Sequence, residues 1–340
     1  MKTLAFGEMM LRLKPMGFER ILQTNGFEAA YGGAEANVAV SLAQLGHDSG
    51  YLTKLPENPL GEAAIGTLRK FGVDTSRILR GGPRLGMYFF EKGNGARSTG
   101  VVYDRAGSSI ATALSQEFDW PSLLDGVGVF YFSGITPAIS SELEIALKAA
   151  LSYCQKQGIT VVCDLNYRGK MWKPEVAQKV MAQLMPFVDV CIANDEDFEA
   201  MLGIKAFDGD LSRGIDQIDD FKRGMQEITK RYPNCKIVAS VLRNIHCVEQ
   251  SDWMAILYQN DEFFETPVHN INVMEGVAAG DAFGAGLLHG LNHQLPVQET
   301  IEFAIAASVL KLSISGDLNL VTEAEIRAAM SKGSNARLSR

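Results

Sequence analysis

The sequence predicts an α/β fold with a mainly parallel central sheet, helices on both faces of that sheet, and a small additional β-sheet. Short apolar runs alternate with amphipathic helical stretches along most of the chain, an order typical of βαβ units. Two glycine-punctuated stretches interrupt this order with alternating apolar and polar residues. With 340 residues, of which 46% are hydrophobic, the chain is long enough for one large domain with a sizeable core.

The elements of the main sheet are predicted from apolar runs of strand length and from helical periodicity between them. We predict strands over residues 4–8, 51–54, 127–133, 160–165, 188–194 and 236–241. We predict helices over residues 34–45, 60–71, 141–157, 174–185, 220–231 and about 280–291. Ligands of such folds bind beyond the carboxyl ends of the parallel strands, so we expect the functional residues at that edge.

A small second sheet is predicted from residues 10–31 and 85–108, which lack helical periodicity. Residues 86–91 and 99–103 flank the glycine-rich turn at residues 93–95, a pattern that indicates a β-hairpin. A β excursion of this kind suits a lid over an active site. The alternative is an edge extension that makes dimer contacts, and the two roles are compatible.

The remaining composition limits the function. We expect one domain over residues 1–330, with a polar insertion at residues 206–219 and a polar tail at residues 331–340. The net charge is −8 without a basic stripe, which argues against nucleic acid as a partner.

The five cysteines form no CxxC pair and are typical of reduced thiols in a cytosol. We see neither a signal peptide nor an apolar run of membrane-spanning length, so we expect a cytoplasmic protein with no membrane partner.

Chemistry is indicated most strongly by residues 276–288, GVAAGDAFGAGLL. The chain has neither a GxxxxGK[ST] loop nor a GxGxxG motif after the first strand, which disfavours P-loop kinases and Rossmann dehydrogenases. Small residues before a helix leave the backbone N–H groups of Ala278, Ala279, Gly280 and Asp281 free to bind an anion. Asp281 in the first turn is placed to accept a proton from a nearby hydroxyl. The alternative is that Asp281 caps the helix and that the glycines permit close helix packing.

This segment resembles the second signature of the ribokinase-like (PfkB) carbohydrate kinase family, in which the core is usually GAGD. Here Ala278 replaces the first glycine, and Glu275 to Val277 stand where Asp-Thr-Thr is common, which leaves a monovalent cation undecided. The resemblance implies a ribokinase-like fold, ATP and Mg²⁺ as cofactors, and Asp281 as the catalytic base with Ala278 to Gly280 beside it.

The first signature of the family is similar to residues 31–39, YGGAEANVA. Gly32 and Gly33 permit close approach of the backbone to a ligand. Asn37 offers a donor and an acceptor to sugar hydroxyls, although an asparagine in a helix also bonds to nearby backbone. The resemblance implies that these three residues bind the sugar.

A third similarity concerns the metal and the nucleotide. Residues 194–197, NDED, resemble the NxxE motif, which helps to hold Mg²⁺ and phosphate through water; an acidic first turn of a helix is the alternative. The resemblance implies Glu196 and Asp197 at the metal. It is weakest over residues 240–253, where the family has a glycine-rich turn near the nucleotide. The nucleotide-binding residues that it implies are Asn194, Arg243, Gly276, Ala278, Gly280 and Ser308, of which Ser308 also fits simple helix packing.

Two arginines bear on the substrate. Arg168 follows the predicted strand at residues 160–165, and Arg105 follows the lid hairpin. Guanidinium groups match a carboxylate, which a sugar acid has and a neutral sugar lacks. Together with Asn166 and with Tyr88 and Tyr103 as hydroxyl donors, the set resembles the 2-keto-3-deoxygluconate kinases of the family.

Other interpretations stay open at this stage. Arg105 and Arg168 could pair with Asp104 and Asp164, and related fructokinases also have an arginine after a DxN sequence. A fructokinase or ribokinase that acts on a neutral sugar is therefore the nearest alternative. A non-catalytic sugar sensor built on a kinase fold belongs to another class and is disfavoured by the retained Asp281. We expect a small sugar or sugar acid as the partner, and a homodimer through the lid.

Overall fold

The computed structural model describes residues 1–331 of the chain, and the predicted polar tail, from residue 332 on, lies outside the described residues. In chain order the strands are β1 (Lys2–Phe6), β2 (Met10–Pro15), β3 (Phe27–Gly32), β4 (Ser49–Leu52), β5 (Lys54–Leu55), β6 (Leu79–Arg80), β7 (Gly86–Glu91), β8 (Gly100–Asp104), β9 (Val127–Ser133), β10 (Thr160–Asp164), β11 (Val190–Ile192), β12 (Ile237–Cys247), β13 (Gln250–Gln259), β14 (Glu262–Glu265) and β15 (His269–Asn272). The helices are α1 (Ala34–Gln44), α2 (Pro59–Lys70), α3 (Trp120–Leu123), α4 (Ile135–Ile139), α5 (Ser141–Gln157), α6 (Pro174–Leu184), α7 (Asp197–Leu202), α8 (Ile218–Arg231), α9 (Ala279–Asn292), α10 (Val297–Lys311) and α11 (Glu323–Ser331).

The main sheet has nine strands in the order β14-β13-β12-β11-β10-β9-β1-β4, with β15 also paired to β13. Strands β4, β1, β9, β10, β11 and β12 are parallel to their neighbours. Strand β12 continues to Cys247 and turns back as β13, which begins an antiparallel extension. The predicted mainly parallel sheet is confirmed, whereas the extension formed by β13, β14 and β15 was not predicted.

Helices cover both faces of the sheet. One apolar layer packs α5, α6, α7 and α8 against one face, and the other packs α1, α2, α9 and α10 against the opposite face. Helix α9 is buried along almost its whole length. Its small residues permit this, because a side chain at Gly286 would overlap Ala304 of α10 and one at Gly290 would overlap Thr300. Close packing therefore fixes the position of the N-terminus of α9.

The lid is a separate four-stranded sheet in the order β3-β2-β7-β8. Strands β7 and β8 form the predicted antiparallel hairpin, and β2 pairs with β7 in parallel. Alternate residues of β7 are buried, which is the pattern of a strand with one face against the protein. Phe90 and Tyr88 lie on that buried face. The predicted small sheet is thus confirmed.

Two further features bear on the setting of the protein. Among the helices formed by residues 1–331, none is long and apolar enough to cross a membrane. All five cysteines lie in this part of the chain and are free thiols, four of them buried. Burial raises the pKa of the Cys154 thiol to about 12, so it stays protonated and serves as an apolar core group.

Candidate active site

A cleft of about 500 Å³ lies between the carboxyl ends of the parallel strands and the inner face of the lid. Its floor is formed by the ends of β10 and β11, by the middle of β12, and by the first turns of α1 and α9. Lid residues on β7 and β8 form the opposite wall. The structure therefore places the cleft where the sheet topology predicted a ligand site.

Asp281 lies on the floor of this cleft, in the first turn of α9, and only 7% of it is exposed. Asn37 Nδ2 of α1 donates a hydrogen bond of 2.7 Å to Asp281 Oδ2. Burial raises the pKa of the Asp281 carboxyl to about 7, although the Asn37 hydrogen bond and the charge of Arg168 act in the opposite direction. A carboxylate with this pKa is well matched to accept a proton near neutral pH.

The N-terminus of α9 is open to the cleft. The N–H groups of Ala279, Gly280 and Asp281 have no carbonyl partner one turn earlier in the helix. Among residues 1–331, apart from the neighbouring residues and the backbone of the helix itself, no atom lies within 4 Å of the place where a side chain at Gly280 would begin. Ala278 precedes the helix with a φ of 60°, in the left-handed region. Because a non-glycine residue there costs roughly 1–2 kcal/mol, this geometry accounts for the glycine that the family usually has at this position.

A buried ionic network supports the loop before α9. Glu275 is paired with Arg12 of β2 and lies 3.4 Å from Lys14 Nζ. The N–H of Gly316 donates to Glu275 Oε1 over 3.0 Å. Burial alone would raise the pKa of Glu275, but these cations and hydrogen bonds bring it to about 2. Glu275, the first of the three residues that stand where Asp-Thr-Thr is common, therefore anchors the loop before α9 to strand β2 of the lid.

The same network reaches the cleft through Asp317. Arg12 Nη1 lies 3.3 Å from Asp317 Oδ1, and the guanidinium lies 4.1 Å from the centre of the Phe90 ring. The hydroxyl of Tyr88 donates a hydrogen bond to Asp317 Oδ2. Burial and the Asp317 charge raise the pKa of Tyr88 well above its usual value, so the phenol stays protonated. Tyr88 thus lines the cleft as predicted, with its hydroxyl already bonded to Asp317.

The two arginines of the predicted carboxylate site differ in their pairing. Arg105 forms an ion pair with Glu8, which is buried and also accepts a hydrogen bond from Ser108 Oγ over 2.6 Å. Asp104 pairs with Arg84 instead, at 2.8 Å. The alternative pairing of Arg105 with Asp104 is therefore wrong, although Arg105 does have a carboxylate partner.

Arg168 is exposed at the rim of the cleft. Its Nη1 donates to the carbonyl oxygen of Tyr167 over 3.1 Å. Within residues 1–331 no carboxylate lies in ion-pair distance of Arg168, so the alternative of a salt bridge to Asp164 is wrong. Its charge nevertheless reaches into the cleft, where it lowers the pKa of Asp164, Asp197 and Asp281. Arg168 is thus a cation available to an anionic ligand.

Asp164 is a functional candidate that the sequence reasoning did not include. It ends β10, is 1% exposed and lines the cleft. Asn166 Nδ2 donates to Asp164 Oδ2 over 3.2 Å, while Oδ1 has no hydrogen-bond partner in the described part of the chain. Burial, with the charges of Asp197 and Asp281, raises the pKa of Asp164 well above its usual value. A buried carboxyl with an unpartnered oxygen, on a residue that lines a cleft, is a candidate partner for a ligand hydroxyl.

Of Glu196 and Asp197, the two residues of the NDED segment that were predicted at the metal, only Glu196 has a carboxylate free to bind a ligand. Asp197 accepts hydrogen bonds from the N–H of Tyr167 at 2.7 Å and from the N–H of Asn194 at 2.9 Å, one on each oxygen. Both of its oxygens therefore organise the backbone, which argues against direct coordination of a metal. Burial raises the pKa of Asp197 to about 6. Glu196 is exposed and lines the cleft, so its carboxylate is available.

The predicted nucleotide residue Arg243 lies within β12 rather than in a turn. Its guanidinium pairs with Asp195 and lies 5.4 Å from the centre of the Trp253 ring. Burial and the nearby Arg168 lower the pKa of Arg243 to about 10, which leaves it charged at neutral pH. Strand β12 and the Trp253 ring therefore place the Arg243 cation at the wall of the cleft. The family usually has a glycine-rich turn in this part of the chain.

Most of the predicted site residues line this one cleft. Those that do are Gly33, Asn37, Tyr88, Tyr103, Arg105, Asn166, Arg168, Asn194, Glu196, Asp197, Arg243, Gly276, Ala278, Gly280 and Asp281. Gly32, Ala279 and Ser308 are not among the lining residues. Ser308 is fully buried and donates to the carbonyl oxygen of Ala279 over 2.9 Å, so it packs α10 against α9 behind the cleft.

The reason for the two glycines of the first signature also differs from the prediction. A side chain at Gly33 would overlap the carbonyl of Glu8, and one at Gly32 would overlap Asp317. The glycines therefore allow close packing of the chain on itself, although Gly33 still contributes to the cleft wall.

The comparisons with known proteins agree with this geometry. The model of the pfkB family carbohydrate kinases matches residues 2–324. A crystal structure of 2-dehydro-3-deoxygluconokinase from Thermotoga maritima is 45% identical, with a TM-score of 0.93 over 98% of this chain and 100% of that chain. A 2-dehydro-3-deoxygalactonokinase from Haloferax volcanii is 32% identical over 98% of this chain and 97% of that protein. An E. coli protein solved with ATP and Mg²⁺ shares the fold, at 17% identity and a TM-score of 0.79, covering 97% of this chain and 99% of that chain.

A buried carboxylate beside an open helix N-terminus is an arrangement suited to phosphoryl transfer to a hydroxyl group. The match over nearly the whole chain shows that it belongs to the pfkB family of carbohydrate kinases.

Proposed function

We propose that this enzyme phosphorylates the terminal hydroxyl of 2-keto-3-deoxygluconate, also named 2-dehydro-3-deoxygluconate, with ATP as the donor and Mg²⁺ as the metal. The observation that carries the choice of a sugar acid is Arg168, a cation at the cleft without an ion-pair partner among the described residues. A guanidinium left unpaired beside a ligand site favours a carboxylate as its partner. The name of the T. maritima relative supports the same substrate.

The reaction follows from the floor of the cleft. Asp281 accepts the proton of the terminal hydroxyl, whose oxygen attacks the γ-phosphorus of ATP as the bond to the β-phosphate oxygen breaks. The free N–H groups at the start of α9 bind the oxygens of the transferring group and stabilise the charge that develops on them. The lid excludes water, which would otherwise compete as the acceptor.

The sugar acid is oriented by residues on both sides of the cleft. Arg168 binds its carboxylate, and Arg105 contributes positive charge although Glu8 already neutralises part of it. Asn37 and the unpartnered oxygen of Asp164 bind hydroxyl groups. Tyr103, 5.9 Å from Tyr88 between ring centres, covers the ligand from the lid.

The residues present fit a magnesium ion with oxygen ligands. Glu196 offers a free carboxylate at the cleft, and Mg²⁺ is held in phosphate sites by one or two carboxylates together with water and phosphate oxygens. When bound, the metal neutralises negative charge on the phosphates. Arg243 lies on the neighbouring wall and is suited to the phosphate chain.

The substrate is tested by measuring ATP consumption with a panel of acceptors. The panel contains 2-keto-3-deoxygluconate, its galacto counterpart, fructose and ribose. We expect kcat/KM to be highest with the gluco acid and at least about 100-fold lower with the neutral sugars, since a charge-assisted bidentate contact contributes about 1.5–3 kcal/mol per hydrogen bond. A neutral sugar as the best acceptor would refute the assignment.

The galacto counterpart is a second candidate because of the name of the H. volcanii relative. Both acids present a carboxylate to Arg168, so they are distinguished only by the hydroxyl contacts of the floor. A higher kcat/KM with the galacto acid would transfer the assignment to that substrate.

We also propose that the enzyme is cytoplasmic and forms a homodimer through the lid. The five free thiols are compatible with a reducing compartment. Leu13, Phe89 and Val102 occupy paired positions on the lid face that does not line the cleft, and Val102 is 58% exposed. Light scattering tests this, since Val102→Glu is expected to convert a dimer into a monomer. A wild-type monomer would contradict the proposal.

A further inference from the structure

Three of the five histidines of the chain lie together on the side of the molecule opposite the cleft floor. His47 follows α1, while His289 and His293 lie at the end of α9. One ring nitrogen of each lies within 4.8 Å of one from each of the other two. The ring centres are 5.0, 4.9 and 4.4 Å apart. The kinase reaction described above uses none of these side chains.

The hydrogen bonds of the cluster define which nitrogens carry lone pairs. His293 Nδ1 lies 3.0 Å from the carbonyl oxygen of His289 and must be the donor, which leaves Nε2 of His293 as the free acceptor. His47 Nε2 and His289 Nδ1 are 2.9 Å apart and share one proton. His289 Nε2 lies 3.9 Å from Glu323 Oε1, which is longer than a hydrogen bond; when the His289 proton is on Nε2, Nδ1 is the acceptor in the bond to His47.

The buried ring of His289 is held in a fixed orientation. It is 1% exposed and stacks on Phe303 with ring centres 4.4 Å apart and planes 8° from parallel. A carboxylate behind the second nitrogen of a histidine is the usual arrangement at metal sites, where it fixes the tautomer and raises the basicity of the ligand. Glu323 lies on that side of His289, 3.9 Å from Nε2, and its carboxylate is held by Arg327 at 2.7 Å.

We propose that His47, His289 and His293 form a binding site for a divalent transition-metal ion, with Zn²⁺ as the probe that fits best. Three imidazole nitrogens and one open position for water match a tetrahedral zinc site. Zinc–nitrogen bonds of about 2.0–2.1 Å place ligand nitrogens roughly 3.3 Å apart. The side chains therefore need only small rotations, and the exposed His293 gives the ion a path from solvent.

The charges around the cluster are compatible with this ligand. Burial lowers the pKa of His47 and of His289 to about 4, so both rings are neutral and their lone pairs available at pH 7. The proton shared by the two rings moves to the other nitrogen of His47, and no net proton is released. Glu323 attracts a cation, whereas Arg327 and the amino group of Met1 oppose it.

Such an ion would join the far ends of the two helices that form the catalytic floor. Helices α1 and α9 carry Asn37 and Asp281 in their first turns, where the hydrogen bond of 2.7 Å joins them. His47 lies just after α1, and His289 lies in the last turn of α9. The metal would therefore add a second link between the same helices and stabilise their packing.

The test is zinc titration of tag-free, chelator-stripped protein by calorimetry in excess MgCl₂, which saturates sites made of hard oxygens. Bound metal is counted by mass spectrometry after dialysis. We expect one zinc ion per chain. His47→Gln and His293→Gln are expected to weaken binding at least about 10-fold, while Glu323→Gln weakens it less, as removal of outer-shell carboxylates does elsewhere. His246→Gln and His269→Gln are the matched controls and are expected to bind like wild type.

Two outcomes would overturn the proposal. One is the absence of binding at a ratio of one ion per chain, and the other is wild-type affinity in both His47→Gln and His293→Gln. Co²⁺ gives an independent reading, since its visible absorption in a tetrahedral nitrogen site should disappear in the same two variants. Kinase activity of each variant shows that it is folded, because none of the substituted residues lies in the cleft.

Discussion

Asn37 donates a hydrogen bond to Asp281 across the floor of the cleft, at a distance of 2.7 Å. The bond joins the first turns of α1 and α9, which come from opposite ends of the chain. It stabilises the ionised form of a carboxylate whose burial favours the neutral form. The balance leaves the pKa of Asp281 at about 7, so burial and the bond to Asn37 together set the proton affinity of the proposed catalytic base.

The first prediction concerns the base itself. Asp281→Asn keeps the size of the side chain and can still accept the Asn37 hydrogen bond, but it cannot take up a proton. We expect kcat to fall at least about 100-fold, since general-base catalysis contributes 10²–10⁴-fold. The KM for the sugar acid should change little, and turnover is measured by coupled ATP consumption.

Thermal unfolding provides the control for that variant. The pKa of Asp281 is raised from 3.8 to about 7 in the folded protein, so its ionisation destabilises the fold, and this penalty grows as pH rises from about 4 to 7. Asp281→Asn should therefore unfold at the same temperature as wild type or higher at pH 8. Near-normal turnover in the folded variant would exclude Asp281 as the base.

The second prediction is the pH dependence of the reaction. The base must be ionised, so kcat/KM should rise with pH through an apparent pKa near 7. Asn37→Ala removes a donor that favours the carboxylate, and the limb should move to higher pH. The ionisation of ATP affects the wild-type and Asn37→Ala profiles equally, so the difference between the two pH profiles reports on Asp281. Asn234→Ala, on the exposed surface, is the control, and an unshifted limb in Asn37→Ala would contradict the assignment.

Local sequence patterns predicted much of the fold and of the site. The small residues of α9 and the alternation in β7 indicated a helix N-terminus and a lid, because each pattern follows from one element's own packing. The structure confirms the helix and the small separate sheet. Asp281 and Arg168 lie at element ends, where the topology of a parallel sheet gathers side chains.

The parts that were not predicted depend on contacts between distant segments. Asp317 meets Arg12 and Tyr88 across 305 and 229 residues of sequence, and no spacing rule encodes such a pairing. Strand β12 was expected to end at residue 241, but pairing with β13 carries it through the polar residues Arg243 and Asn244. Apolar periodicity fails there because this part of the strand lies at the cleft rather than in the core.

The third prediction tests the carboxylate site. Arg168→Ala should raise KM for the sugar acid about 10–100-fold, the value of one or two charge-assisted hydrogen bonds. The effect on KM for ATP should be smaller. Arg223→Ala removes an exposed arginine of α8 that pairs with Asp220 outside the cleft, and it serves as the control. An unchanged KM for the sugar acid in Arg168→Ala would remove the physical basis for a carboxylate-bearing substrate.

The fourth prediction separates the metal from the backbone role within the NDED segment. Glu196→Gln should raise the Mg²⁺ concentration needed for half-maximal rate. It should leave thermal stability unchanged, because the side chain of Glu196 is exposed to solvent. Asp197→Asn should instead destabilise the protein by about 1 kcal/mol, because one of two partly buried N–H groups loses its acceptor. Magnesium titrations and urea unfolding measure the two effects. A reversed pattern would make Asp197 the metal ligand.

The fifth prediction concerns the support of the catalytic loop. Glu275→Gln leaves the buried Arg12 with only Asp317 as a partner, and removal of one member of a buried ion pair costs on the order of 3 kcal/mol. The pKa of Glu275 falls from 4.5 to about 2 on folding. The contribution of ionised Glu275 to the free energy of unfolding is therefore complete above pH 4.5, and it is lost as the pH falls from 4.5 toward 2. Urea unfolding at pH 7 should show the full difference from wild type, and unfolding at pH 3 a smaller one.

Glu28→Gln is the matched control, since Glu28 also pairs with Lys14, at 2.9 Å, but its side chain is 46% exposed. An exposed pair contributes only about 0–1 kcal/mol, so this variant should unfold almost like wild type. The Glu275 substitution should in addition lower kcat, because the loop that it anchors leads directly into the free N–H groups of α9. If Glu275→Gln unfolds like Glu28→Gln at pH 7, the buried network does not hold the loop, and the anion site at Gly280 must be kept in place by the packing of α9 alone.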